Sequence, residues 1–380
     1  MELKVLFLVF HGFSAHNGIS KKIFGQVRGL QQCGANVKLC YYEVLNNGHR
    51  AWIVDNEVIA DFGKGIFAKL RKRWDFDELT AYVRREQFDL IYMRSYHNSS
   101  PAIIGALREF KRAGAKVVVE VPTYPYDQEY TRFIDKIVQM PDRFFRRSMA
   151  LVLDGIVTFT EENEIFGAKT IKISNGIDLD EIPLRIKKAR NEEEIHLLGV
   201  AEIHFWHGFD RVIRGLGVYY NRNPRCRVYF DIVGNISGAR EHNEIFSAIE
   251  AAGVQQYVFM HGALWGENLD VMFDQADFAI GSLARHRSGI TYIRTLKTRE
   301  YAARGIPFMY SEIDSDFENK PYILKAAPDE SPIDIDQIVS YCLSKDWEPS
   351  RIRDDVYELS WRNQMKKVLE HLNLYRCYHS

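Results

Sequence analysis

The feature that most restricts this chain is an alternation of short apolar runs with helical patterns, and it runs through the sequence twice. LKVLFLVF (3–10) leads into a helical pattern through KKIFGQVRGLQQCG, closed by Gly34, and then into NVKLCYY (36–42). A hairpin follows across AWIVDNEVIADF, turning at Asp55-Asn56, and a helix runs through the 60s to the 80s. DLIYMRS (89–95), a helix over PAIIGALREFKRAG, KVVVEVP (116–122), a helix to about Leu151, GIVTFT (155–160) and TIKISN (170–175) complete the first run. The polar stretch IPLRIKKARNEEEI (182–195) has no apolar period and reads as a linker. Beyond it the alternation restarts through IHLLGVAE, RVYFDIVGN, YVFMHGAL, DFAIGSLA and PFMYSE, each separated from the next by a helical pattern. Strand–helix alternation implies parallel sheets with right-handed crossovers. The expected fold is therefore α/β, with two doubly wound, Rossmann-like domains at 1–184 and 185–357. Ligands of such sheets sit outside the carboxyl ends of the strands, which here means a cleft between the domains.

Composition removes several function classes. Fifty basic and 51 acidic side chains leave a formal charge of -1, so no global field points to nucleic acid. Five scattered cysteines (Cys33, Cys40, Cys226, Cys342, Cys377) show no CxxC spacing, which argues against a zinc site or a disulfide framework. MELKVLFLVF is too short an apolar run for a secretory signal and reads as a buried first strand. No run reaches the ~18 apolar residues of a membrane span, so a cytoplasmic protein is expected.

Four segments carry possible chemistry. In the loop HGFSAHNGISKK ahead of the first helix, Gly18 is either a turn residue or a close approach to an anion. In GVAEIHFWHGFDRVI (199–213), His207 sits at a helix N-terminus, where it is either structural or in touch with a phosphate or sugar. In ARHRSGITYIRTLKTREYAARGIPF (284–308), Ser288, Gly289, Ile290 and Thr291 are expected to open a helix whose free N–H groups suit a phosphate. Lys297 and Glu300 share a face one turn apart, as an ordinary ion pair or as groups for a diphosphate and a ribose diol. The Asp-x-Asp triplets Asp75/Asp77, Asp178/Asp180, Asp314/Asp316 and Asp334/Asp336 are the number chance provides in an acid-rich chain, and no metal site is expected. KGIFAKLRKRW (64–74) is either a solvated face or a membrane-docking one, with Ile66, Phe67 and Trp74 at the interface and Lys69, Arg71, Lys72 and Arg73 toward lipid headgroups. Tyr124, Tyr126, Phe205 and Trp206 fall beside the expected cleft, where rings stack on sugars.

Taken in order, these segments resemble the GT-B glycosyltransferases, in particular the large retaining family of sucrose synthases and bacterial mannosyl- and glucosyltransferases. The resemblance rests on Gly18, the NGID turn (Asn175 to Asp178), the VGN strand end (Gly234, Asn235), Val258 with Gly262, and Glu300-Tyr301-Ala302-Ala303-Arg304-Gly305-Ile306-Pro307. PTYPYD (122–127), WHGFDR (206–211) and LKTREYAARGIP (296–307) look like a branch of bacterial surface-polysaccharide assembly. SWRNQMKKVLEHL resembles the family's closing helix, so 358–380 is expected to join the first domain. What the resemblance implies is sugar transfer from a nucleoside diphosphate sugar to a glycan or polyprenyl-linked acceptor, with retention and without metal or cofactor. Catalytic roles fall to His207 and Lys297, and donor contacts to Gly18, Gly262, Gly289, Ile290, Thr291 and Glu300. Arg94, Glu120 and Tyr124 fall on the acceptor side. The chain departs from the family at Tyr292, where the first acid of a Glu-x7-Glu pair would stand, and at His207, where a lysine normally precedes the glycine. A nucleotide-sugar epimerase or hydrolase on the same fold, or a non-catalytic sugar-binding protein, are the alternatives.

Overall fold

The computed structural model describes residues 2–14, 18–126, 133–189 and 191–375, with the main chain alone over 133–138. Ala15 to Asn17 of the first loop, Asp127 of PTYPYD and Cys377 lie outside the described residues. The chain divides into two compact units, one running to Gly176 and resuming at Leu359, the other spanning Ile177–Glu358.

The first unit begins with β1 (Leu3–Val9), α1 (Gly18–Gln32), β2 (Ala35–Val44) and the hairpin of β3 (Arg50–Val54) and β4 (Glu57–Asp61). Asp55 and Asn56 hold positive φ at its turn (47° and 73°), the conformation such tight hairpins require. Where one helix was expected through the 60s to the 80s there are two, α2 (Gly65–Arg71) and α3 (Asp77–Glu86). Buried Phe76 and Lys72 turn inward at the break between them. Next come β5 (Leu90–Arg94), α4 (Pro101–Arg112), β6 (Lys116–Val121), α5 (Phe133–Ala150), β7 (Gly155–Thr158), β8 (Glu164–Ile165) and β9 (Ala168–Lys172). The nine strands pair in the order β4-β3-β2-β1-β5-β6-β7-β9-β8, parallel from β2 through β9 and antiparallel at both edges. Alternate residues of β1 feed opposite cores: Leu6 and Leu8 enter one cluster, Val5, Phe7 and Val9 the other. A strand covered on both faces has no use for polar alternation, and for that reason LKVLFLVF is almost continuously apolar.

The second unit holds β10 (Glu194–Val200), α6 (Phe209–Tyr220), β11 (Arg227–Val233), α7 (Ala239–Ala252), β12 (Val258–Gly262), α8 (Glu267–Gln275) and β13 (Phe278–Ile280). It continues through α9 (Leu296–Arg304), β14 (Phe308–Tyr310), β15 (Ile323–Lys325), α10 (Ile335–Ser344) and α11 (Pro349–Asp355). Its six strands are all parallel, ordered β12-β11-β10-β13-β14-β15. The division between units falls before the polar linker because Arg353 donates to the carbonyls of Leu179 and Ile182, and the Arg185 N–H to that of Arg304. Residues 177–189 are thereby tied to the second unit.

The final helix, α12 (Trp361–His371), is capped by the Ser360 hydroxyl, which accepts the Asn363 N–H, and packs within the first unit. Trp361 sits where three glycines leave room. A Cβ on Gly25 would stand 2.3 Å from its Cδ1, one on Gly29 2.6 Å from its carbonyl carbon, and one on Gly176 2.3 Å from its Cδ2. The NGID turn is thus a seat for this helix.

Candidate active site

The strand order of the second unit, numbered from its own first strand, is 3-2-1-4-5-6, which reverses direction between β10 and β13. At such a switch point the two strand exits diverge and leave a crevice at their carboxyl ends. The β10 exit carries Glu202 and His204 into a single 3-10 turn over Phe205–His207, and the β13 exit carries Gly281 to Ala284 into another over Arg285–Ser288. The two are stitched together: Leu283 N–H donates to the His207 carbonyl (3.0 Å) and Ala284 N–H to that of Trp206 (3.1 Å). Gly208 (φ 64°) allows this approach, since a Cβ there would stand 2.8 Å from Ala284 Cβ. A third exit, from β14, joins through Ser311, whose N–H donates to the Ser282 carbonyl (3.0 Å).

His207 and Lys297, ninety residues apart in sequence, meet here with Nζ 2.5 Å from Nε2. The His204 N–H donates to His207 Nδ1 (2.9 Å), so Nδ1 bears the lone pair and the proton of a neutral ring resides on Nε2. Nζ then accepts that bond, which requires an uncharged amine. Electrostatics agree. Burial, followed by the charge of Arg285, brings the Lys297 amine down to about 7, with Glu312, Glu202 and Glu300 pulling the other way. Burial and then Lys297 and Arg285 hold the His207 imidazole well below its ordinary value. Above about pH 7 the pair is neutral, poised to accept charge from an anionic ligand.

Around it lie groups that sequence reasoning did not single out. Arg285 lies over the Trp206 ring (5.3 Å to the centroid), and its Nε is buried without a hydrogen-bond partner. Glu312, directly after Ser311, is 3% exposed, and among the described residues no other donates to either carboxyl oxygen. Burial pushes that carboxyl up to about 7, against the pull of Arg285 and Lys325. By contrast, Arg287 is committed to Asp210 and Glu330, and Arg211 to Asp329 and the Leu283 and Ser331 carbonyls; both brace the exits.

The 284–308 segment departs from expectation. Ser288 ends a 3-10 turn instead of opening a helix, and Gly289 follows in the left-handed region (φ 69°). The Gly289 and Ile290 N–H groups are spent on the carbonyls of His286 and Arg285 (3.0 and 3.2 Å), so they do not point free at a phosphate. Thr291 to Ile293 run alongside Ile313, with Tyr292 bridged to it, and α9 starts later, capped by Thr295. Glu300 is half-buried and pairs with Arg304 (3.2 Å), not with Lys297. Gly262 (φ 67°) ends the edge strand β12, where its carbonyl accepts the Gly234 N–H (2.7 Å). Asp314 and Asp316 receive the Arg299 guanidinium, and among the described residues no cluster of three metal-ligating side chains occurs.

In the first unit, Gly18 is the first residue of α1. Glu120 is wholly buried at the end of β6, ion-paired with Arg94 and with Lys22 (3.8 Å), and receives hydrogen bonds from Tyr92 (2.6 Å) and Gln26. Burial would raise its carboxyl, but Lys22 and Arg94 outweigh that and hold it below the ordinary value. The expectation that Glu120 and Arg94 face an acceptor thus meets a buried pair that saturates itself; a charge inside KVVVEVP survives only when so paired. Tyr124 stays half-exposed against Phe166, while Tyr126 is buried and donates to Asp142 (2.6 Å), out of reach of a sugar. On α2, Ile66 and Phe67 are exposed, but Lys72 turns inward to the Phe10 carbonyl and Tyr96 hydroxyl and is not available to a headgroup. Among the described residues no helix is long and apolar enough to cross a membrane.

No family model matches the chain, and no curated protein sequence does. Solved structures do. Sucrose-phosphate synthase of Thermosynechococcus elongatus superposes with a TM-score of 0.63 at 13% identity, covering 98% of this chain and 99% of that one. A glycosyltransferase of Rickettsia africae gives 0.62 at 13% identity over 99% of both chains. HepE of Anabaena, solved in complex with UDP, gives 0.59 at 14% identity over 98% of this chain and 100% of that one. Two α/β units on parallel-rich sheets, matched end to end by these enzymes, give this chain the GT-B glycosyltransferase fold.

Proposed function

We propose that the chain is a glycosyltransferase that moves a hexosyl group from a nucleoside diphosphate sugar to a hydroxyl of a glycan or polyprenyl-linked acceptor, with retention and without metal. The observation that carries this is the neutral His207–Lys297 pair at the β10/β13 switch point, beside Arg285. A diphosphate placed there meets three nitrogen donors that are not bound to any carboxylate, and the structural neighbour HepE is solved with UDP. Lys297, protonated from solvent as the diphosphate binds, presents its ammonium together with the Nε2–H of His207 and the Arg285 guanidinium, and as the glycosidic C–O bond to the diphosphate breaks the three stabilise the developing phosphate charge. The acceptor oxygen forms the new bond to the anomeric carbon, and its proton passes to the departing phosphate oxygen on the same face. Glu300 and Gly262 are assigned to the nucleoside, Thr291 with Gly289 and Ile290 to the rim of the donor site, Gly18 to the donor phosphates, and Tyr124 to the acceptor. Arg94 and Glu120 become positioning residues that lock the β5 and β6 exits. The exposed Ile66, Phe67 and Trp74 with Lys69 and Arg73 are assigned to peripheral contact with an anionic membrane in a polysaccharide-assembly role. The test is a donor screen read out by released nucleoside diphosphate with and without acceptor extract. A glycosylated product that forms only with acceptor supports transfer, whereas equal release without acceptor supports hydrolysis.

A further inference from the structure

Three buried polar groups at two neighbouring strand exits lack partners among the described residues: Ser282 Oγ after β13, Arg285 Nε three residues on, and both oxygens of Glu312 after β14. The exits are joined by the Ser311 N–H and hydroxyl, both donating to the Ser282 carbonyl (3.0 and 3.3 Å), so these are not unrelated defects. An unmet buried group is destabilising, and native proteins keep few of them. A cluster of several in one place is what a site looks like when its ligand supplies the missing bonds.

We propose that Glu312, Arg285 and Ser282 form a hydroxyl-reading subsite for the sugar of the donor, with the Glu312 carboxylate accepting from one or two ring hydroxyls and Arg285 and Ser282 donating to a ring oxygen substituent. The chemistry fits a polyol better than a cation or an anion. A free metal ion or amine would have to sit beside the Arg285 guanidinium, and a second phosphate beside the Glu312 carboxylate. A hydroxyl donates and accepts through one atom and so suits both groups at once. The subsite shares Arg285 with the phosphate donors, and the Ala284 N–H bond to the Trp206 carbonyl (3.1 Å) ties its β13 exit to the turn that carries His207. The subsite also lies next to the departure at Tyr292: that residue is bridged to Ile313, the neighbour of Glu312, and its hydroxyl lies 2.9 Å from that of Ser315. The carboxyl that position 292 does not provide is present one residue along on the facing segment. The charged and titratable groups around the subsite are Arg285, Lys297, Lys325 and Asp314.

The assignment rests on the nucleotide-sugar reading, and the experiment separates the two. UDP, UDP-glucose, GDP and GDP-mannose are titrated calorimetrically into the full chain, its Glu312→Gln and Glu312→Ala variants, and Ser282→Ala on the other strand exit. The expected result is that the nucleoside diphosphate keeps its affinity within about twofold in all four proteins, while the matching sugar nucleotide weakens tenfold or more in Glu312→Ala and severalfold in Ser282→Ala. Equal affinity of the sugar nucleotide for wild type and Glu312→Ala overturns the subsite and leaves the donor reading standing. Equal weakening of nucleotide and sugar nucleotide also overturns it, since Glu312 would then act only through the phosphate donors. Failure of wild type to bind any of the four overturns the donor reading and the subsite with it. Glu312→Gln controls for folding: the uncharged isostere melts at or above the wild-type temperature at pH 8, and a lower melting temperature contradicts the claim that the carboxyl lacks partners.

Discussion

Replacing Lys297 with arginine separates the two states of the His207–Lys297 pair. The free amine has its pKa near 7, so about nine-tenths of it is neutral at pH 8 and about one-tenth at pH 6. A diphosphate needs the ammonium. Binding at pH 8 therefore takes up about 0.9 proton at this lysine, and at pH 6 about 0.1. The sign follows directly: the ligand-competent form falls tenfold for each pH unit above 7, so affinity falls by up to that factor per unit and levels off below 7. A sugar nucleotide is the right probe because its diphosphate, esterified at both ends, has no proton titrating near neutrality. The assay is calorimetry of UDP-glucose binding at pH 6 and 8 in buffers of different ionisation enthalpy. Lys297→Arg carries a permanent charge, so it should bind at both pH values while losing the uptake at pH 8. Glu312, also near 7, is common to both proteins and cancels in the difference. Wild-type affinity that is flat from pH 6.5 to 8.5, or uptake that persists unchanged in Lys297→Arg, refutes the neutral pair.

Glu312 makes a complementary prediction about stability. Its folded pKa is raised from 4.5 to about 7, so the folded state binds the extra proton between those values and stability falls as pH rises through them. The loss is on the order of 3 kcal/mol at about 1.4 kcal/mol per unit. Glu312→Gln should then melt several degrees above wild type at pH 8 and close to it at pH 4.5, as followed by thermal circular dichroism. Gly25→Ala places a methyl 2.3 Å from Trp361 Cδ1 and should cost roughly 1–3 kcal/mol in urea unfolding, with Trp361 fluorescence reporting its displacement. The double variant Ile66→Ser and Phe67→Ser should lose cosedimentation with anionic vesicles while leaving the melting temperature unchanged.

How much of this was legible in the sequence depended on whether the signal was local. Strands such as LKVLFLVF announce themselves because both faces are covered and every position from Val5 to Phe10 is apolar. His207 and Lys297 stand out separately, one at a strand exit and one inside a helix, but their contact arises from the fold, which brings together residues 90 apart. The helix expected at Ser288 was misplaced because its polar, glycine-containing opening resembles a helix start. The true signal was Thr295, whose hydroxyl caps Thr298, after a segment held extended by Ile313. Glu312 was invisible for another reason: a glutamate after a strand looks the same whether solvent or a buried cluster surrounds it. Glu120 carries a sequence signal for burial and not for an acceptor site. A single acid inside KVVVEVP has to be neutralised by its surroundings, and Lys22 and Arg94 supply that from two other elements.

The most direct test of the account is donor binding by the Lys297→Ala variant of the full chain, measured by calorimetry against UDP-glucose and GDP-mannose beside wild type. The account predicts that wild type binds at least one of the two and that Lys297→Ala loses most of that affinity, on the order of tenfold or more for one charge-assisted phosphate contact. Binding of the same sugar nucleotide by both proteins with equal affinity would contradict it.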